Sequence, residues 1–260
     1  MSKIMSKPTK SLILFISIAF LLPLMMVVLQ TKVSNNAICF VLFGIQAASP
    51  SISAIVVFMV NREFRKSISR LFHKDHLAMA IFLPIAIVCL VMIAAKFLLT
   101  LIMEEHNSFW GTVNNMQWII ILWAFVAEEL GWRGYLEPVL NELSFNKKII
   151  PGIVGVIWCA WHYHYFMQNS IEIPIALFLF SCIIESYIYS FLMRKTNGNL
   201  LSAMTFHLMY NLMIHVVAIN PSDNNGSLVP YVTMSVMEIV VLIVVKLLRR
   251  KRHCGLSDCK

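Results

Sequence analysis

Ala127-Glu128-Glu129-Leu130-Gly131-Trp132-Arg133-Gly134-Tyr135 follows nine apolar residues, Trp118 to Val126, and so places two carboxylates and a guanidinium inside what reads as one membrane-spanning helix. Ionisable side chains near a bilayer centre cost roughly 2.5 to 3.5 kcal/mol each on insertion scales, so a chain keeps three of them in six residues only for a reason. At helical pitch Glu129 and Arg133 share a face and can pair. Glu128 points about 100° away from Glu129, so its partner must come from elsewhere in the chain.

The rest of the chain fits a membrane setting. Of its 260 residues 59% are hydrophobic and 13% charged, and the mean hydropathy is +0.76. Those values exclude an ordinary soluble domain and imply an all-α, polytopic transmembrane bundle. The net charge of +8 sits in short clusters between apolar runs, which marks cytoplasmic loops and not a nucleic-acid surface. Six cysteines, Cys39, Cys89, Cys159, Cys182, Cys254 and Cys259, read as free thiols. The last two lack the partners a zinc site needs.

Eight apolar runs read as spans, and residues 1–260 as one integral-membrane domain. They are Ser11–Leu29 (an uncleaved first span), Ala37–Val60 with a kink at Pro50, Leu77–Met103, Met116–Leu140, Ile149–Phe166, Ile173–Met193, Leu200–Ile219 and Tyr231–Leu248. Lys32 is the only Lys or Arg in the four loops placed outside, the acidic loop Glu104–Asn115 among them, so both termini are expected in the cytoplasm. Between the second and third spans, Phe64, Ile68, Leu71 and Phe72 recur at helical spacing among Arg62, Arg65, Lys66, Arg70 and Lys74. That pattern predicts an amphipathic helix on the cytoplasmic membrane surface, with a solvated basic loop as its alternative.

Polar groups that Glu128 could meet are few. The fifth span offers Trp158-x-x-x-His162 and His164, the seventh His207-x-x-x-Asn211 and His215, and the sixth Glu185. At about 1.5 Å of rise per residue, Glu128, His162, His207 and Asn211 can all fall in one layer near the midplane. Glu128 and a histidine could deprotonate a water while neutral donors stabilise an oxyanion. Alternatively Glu128, His162 and His207 could bind a divalent metal such as zinc that activates the water. Lys96 and His215 read as structural, His164 as a polar residue near the outer boundary, and Glu185 as either packing or substrate-facing.

Glu128-Glu129-x-x-x-Arg133-Gly134-Tyr135-Leu136, then Trp158-x-x-x-His162, then His207-x-x-x-Asn211, resembles the three-motif signature of the CPBP intramembrane proteases. That family is also known as the type II CAAX prenyl protease, Abi or bacteriocin-immunity family. The resemblance covers about residues 116–215. It implies an endopeptidase in which Glu128 acts on water with His162, Glu129 and Arg133 orient the site, and His207 and Asn211 form an oxyanion site or ligate a metal. Trp158 stands where the family usually has Phe. It further implies membrane lipids and a membrane-associated peptide or protein as partners, no nucleic acid, and a multi-pass protein of a bacterial plasma membrane, with peptide maturation or bacteriocin immunity as a role. A proton-coupled transporter uses similar buried groups, but the inverted repeats of many transporters are not apparent. A non-catalytic immunity or scaffold protein is the remaining alternative; helix glue usually relies on Ser, Thr or Asn.

Overall fold

A computed structural model describes residues 7–102 and 110–257, the side chains of 102 and 248–257 excepted. The first half of the Glu104–Asn115 loop and the side chains of Cys254 and Cys259 therefore lie outside the described residues. Described residues form helices without strands: α1 (Lys7–Gln30), α2 (Asn36–Ala47), α3 (Ser49–Val60), α4 (Phe64–Leu71), α5 (Leu77–Ile102), α6 (Asn115–Ala127), the single turn α7 (Glu129–Gly131), a π-helical turn (Trp132–Leu136) and α8 (Glu137–Glu142). They continue with α9 (Ile150–Trp161), α10 (Tyr163–Met167), α11 (Ile175–Lys195), α12 (Leu201–Val216), a 3₁₀ turn (Pro221–Asn224) and α13 (Val229–Ser257).

Every apolar run expected to span the membrane is helical, but the expected eight continuous spans are not all there. Among the described residues, five helices are long and apolar enough to cross a bilayer, or six if α2 and α3 count as one span. That pair bends by 60° just before Pro50, because a proline is accommodated in the first turn of a new helix and not in the middle of an old one. The fourth and fifth expected spans are instead assembled from pieces, α6 to α8 and α9 with α10. Non-helical backbone at membrane depth is tolerated where protein or a polar cavity surrounds it, and both breaks meet that condition. At residues 64–71 the expected surface helix is present, with Leu71 buried and Phe64 and Phe72 left outward.

Packing is close where side chains are small. The main contacts are α12 and α13 on α5, α9 on α11, and α1 on α3 and α2. A Cβ at Gly155 on α9 would stand 2.7 Å from both Cys182 O and Ile183 Cα, backbone atoms of α11 that cannot step aside. At Gly152, one turn earlier, a Cβ would meet only the Tyr187 side chain, its Oη nearest at 3.4 Å. Gly155→Ala is expected to destabilise the protein by about 1–3 kcal/mol, the usual penalty of overpacking. Gly152→Ala should be near neutral. Thermal unfolding of both purified variants in detergent compares them directly, and equal melting temperatures would refute the close-contact account.

On the other side of the bundle, Trp161 Nε1 donates to Ala19 O and Ser49 Oγ, both at 3.0 Å, tying α9 to α1 and α3. Its ring meets Trp132 edge-on at 5.7 Å, and Phe15 packs on both Trp132 and Tyr135. The π turn is thereby clamped from two sides. Cys39, Cys89, Cys159 and Cys182 are free thiols.

Candidate active site

Glu128 is the residue at which α6 stops. Its backbone (φ −119°, ψ −41°) departs from helical geometry, and its carbonyl accepts from the amides of both Gly131 and Trp132. Gly131 is required just beyond the break: a Cβ there would lie 2.5 Å from Pro50 Cβ. The tight approach of α7 to α3 ends the straight helix, and the π turn at 132–136 resumes it with altered phase. π turns inside helices recur at functional sites, where they re-aim side chains.

A matching interruption occurs at His162, which separates α9 from α10 (φ −70°, ψ 1°). The His162 Nδ1–H donates to the Trp158 carbonyl at 2.8 Å. With Nδ1 as the donor, Nε2 is left as an acceptor. Both candidate water-activating groups thus sit at helix breaks, and both face one cavity.

That cavity has a volume of about 1040 Å³, and Glu128, His162, His207 and Asn211 all line it. Trp158 joins them. Its indole N–H donates to Glu128 Oε2 at 2.8 Å, and its ring lies edge-on to His162 at 5.6 Å and to His207 at 6.1 Å. Trp132 Nε1 donates to the same carboxylate oxygen at 3.3 Å. Glu128, 6% exposed, is therefore fixed through Oε2, and Oε1 is not engaged by these donors. Asn211 makes no side-chain hydrogen bond to another described residue, and its amide is available to the cavity.

The Glu129–Arg133 pair is present and fully buried, with Arg133 Nη1 at 3.1 Å from Glu129 Oε1. It is larger than a pair. His207 Nδ1 donates to the same Glu129 oxygen at 2.7 Å, Arg133 Nη2 donates to Ser186 Oγ at 3.2 Å, and the guanidinium lies 3.6 Å from the Tyr189 ring centroid and 4.7 Å from that of Trp158. One face of His207 chemistry is thus committed to Glu129, and its Nε2 remains for the cavity. Among the described residues no three His, Cys, Asp or Glu side chains gather into a set able to hold a metal ion. Glu128, His162 and His207 are each oriented through one atom, which leaves Glu128 Oε1, His162 Nε2 and His207 Nε2 outside those bonds.

The remaining polar residues separate into different surroundings. His164, expected near the outer boundary, is fully buried: Gln46 Nε2 donates to His164 Nδ1 at 2.7 Å and to Gln168 Oε1 at 2.8 Å, and Gln46 Oε1 accepts from Gln30 Nε2 at 2.7 Å. This network binds α1, α2 and α10 together. His215 makes contacts to Gln117 (3.4 Å) and Asn220 (3.1 Å) at the C-terminal end of α12. Lys96 is buried, with Asp223 the opposite charge nearby. Glu185 lines the cavity.

Sequence reasoning passed over Glu238, which is 1% exposed on α13 with Oε2 unpartnered and Glu185 nearby. A carboxylate inside the eighth apolar run was the signal that could have found it. It also passed over the indole donors to Glu128, since Trp158 reads only as an aromatic of the second motif and Trp132 has no role there.

Comparison with known proteins agrees with the three motifs. Residues 110–213 match the family described as type II CAAX prenyl endopeptidase Rce1-like. The CAAX prenyl protease 2 of Methanococcus maripaludis is 29% identical over 110 residues, a match that covers 38% of this chain and 40% of that relative. The match thus spans less than half of the relative's length. With its several apolar helices, the chain is a multi-pass membrane protein.

Proposed function

We propose, from the premise that residues 110–213 are an Rce1-like domain, that the chain is an intramembrane endopeptidase acting on membrane-associated peptides or proteins. The observation that supports this reading is that Glu128, His162, His207 and Asn211 all line one cavity. Glu128 Oε1 and His162 Nε2 hold a water between them, and Glu128 takes its proton as the oxygen attacks the scissile carbonyl. The Asn211 amide N–H donates to the oxyanion that forms. For His207 to donate from Nε2 as well, its ring must carry both protons, and Glu129 balances that charge through Nδ1. Glu128 then returns the proton to the leaving amine.

Glu185 on α11 and Glu238 on α13, both buried and near enough to interact electrostatically, favour proton-coupled transport as the competing reading. Purified full-length protein in liposomes separates the two. The expected result is cleavage of a membrane-anchored fluorogenic peptide that persists after rigorous chelation. Loss of cleavage restored by zinc would overturn the metal-free mechanism. Proton-coupled uptake without any cleavage would overturn the protease.

A further inference from the structure

On the side of the bundle where the basic loops gather, a second cavity of about 290 Å³ opens between the start of α1, the end of α3, α4, the π turn and α8. It is close to the lower end of ligand-pocket sizes, about 300–1,000 Å³. Its lining carries both signs of charge: Lys7, Lys66 and Arg70 against Glu63 and Glu142. Lys7 and Glu63 already pair with each other at 3.1 Å. Lys66 and Arg70 remain on one wall and Glu142 on another.

The inner end holds a polar group without a partner. Tyr135 lines the cavity, is 6% exposed, and its hydroxyl makes no hydrogen bond. Its ring is fixed against Phe15 (4.8 Å) and Phe58 (5.7 Å), and its hydroxyl end lies toward Ser11 and Glu142. Ser11 Oγ accepts from Asn61 Nδ2 at 3.1 Å, a bond that turns it toward Asn61. A buried hydroxyl left unsatisfied costs free energy that a ligand oxygen recovers. Depth also identifies the ligand class. Basic α4, with Phe64 and Phe72 turned outward, lies as interfacial helices do, so this cavity opens at the level of lipid headgroups.

We propose that this cavity binds the phosphoethanolamine headgroup of a phospholipid. Lys66 and Arg70 take the phosphate, the Tyr135 hydroxyl donates to a phosphate oxygen, and Glu142 accepts from the primary ammonium. An anionic headgroup without the ammonium would meet Glu142 as a like charge. A choline headgroup has no N–H to give it.

The test is native mass spectrometry of the full-length protein in detergent, titrated with phosphatidylethanolamine, phosphatidylglycerol or phosphatidylcholine of matched chains. Wild type is expected to retain phosphatidylethanolamine about tenfold more tightly than the other two. Glu142→Gln should erase that preference. Lys66→Gln with Arg70→Gln should weaken retention of all three lipids about tenfold, and Tyr135→Phe, which keeps the ring packing, should weaken phosphatidylethanolamine severalfold with an unchanged melting temperature. Competition by soluble phosphoethanolamine at equal concentration would place the same chemistry on a free metabolite. Equal retention of the three lipids by wild type, or a preference untouched by Glu142→Gln and Tyr135→Phe, overturns the proposal.

Discussion

Glu128→Gln is expected to accumulate in the membrane at the wild-type level and to lose peptide hydrolysis by a factor of about 10² to 10⁴, the range that a positioned general base supplies. The two halves of that expectation rest on different atoms. Trp158 Nε1 and Trp132 Nε1 both donate to Oε2, and a glutamine in the same rotamer offers its carbonyl oxygen to them. The local hydrogen bonds therefore survive, and no ion pair is broken, because Arg133 bonds Glu129 and not Glu128. What is lost is the basic oxygen that faces the water. Cleavage of a membrane-anchored peptide, normalised to protein quantified by immunoblot, reads both halves. Retention of more than about a tenth of the activity would remove Glu128 from the reaction. Trp158→Phe removes only one of the two donors to Oε2 and should cost far less.

The character of the site was legible in the sequence, and its wiring was not. Three charges in six residues of an apolar run singled out Glu128, Glu129 and Arg133, and helical spacing paired the last two. Spacing cannot say which helices are neighbours, so the bond from His207 on α12 to Glu129 was out of reach, as was the Gln30–Gln46–Gln168–His164 network. The eight apolar runs read correctly as helices because hydropathy is local. Their interruptions at Glu128 and His162 were not legible, because they follow from tertiary contact. Gly131 permits α7 to press on Pro50, eighty-one positions earlier, and nothing near Gly131 in sequence announces it. Pro50, by contrast, marks its own bend.

Arg133→Leu should have the opposite outcome from Glu128→Gln: little protein in the membrane, and therefore no activity to normalise. Arg133 is 1% exposed and neutralises Glu129, which is fully buried. Removing one partner of such a pair typically costs about 3–5 kcal/mol, and the guanidinium also lies over Tyr189 and Trp158, a contact worth up to about 2 kcal/mol when desolvated. Against a total stability of about 5–15 kcal/mol, the loss is large. His207 still bonds Glu129 in the variant, and a protonated imidazole would offset part of the charge. It cannot replace the bond to Ser186 or fill the volume between the two aromatic rings. The double variant Arg133→Leu with Glu129→Gln separates charge from packing. If the stranded carboxylate causes the defect, neutralising it restores accumulation without restoring hydrolysis, since His207 then loses the charge that holds its second proton. If Arg133→Leu alone accumulates as Glu128→Gln does, the buried pair is not what holds α7 and the π turn in place, and the division of labour between the two adjacent glutamates is wrong.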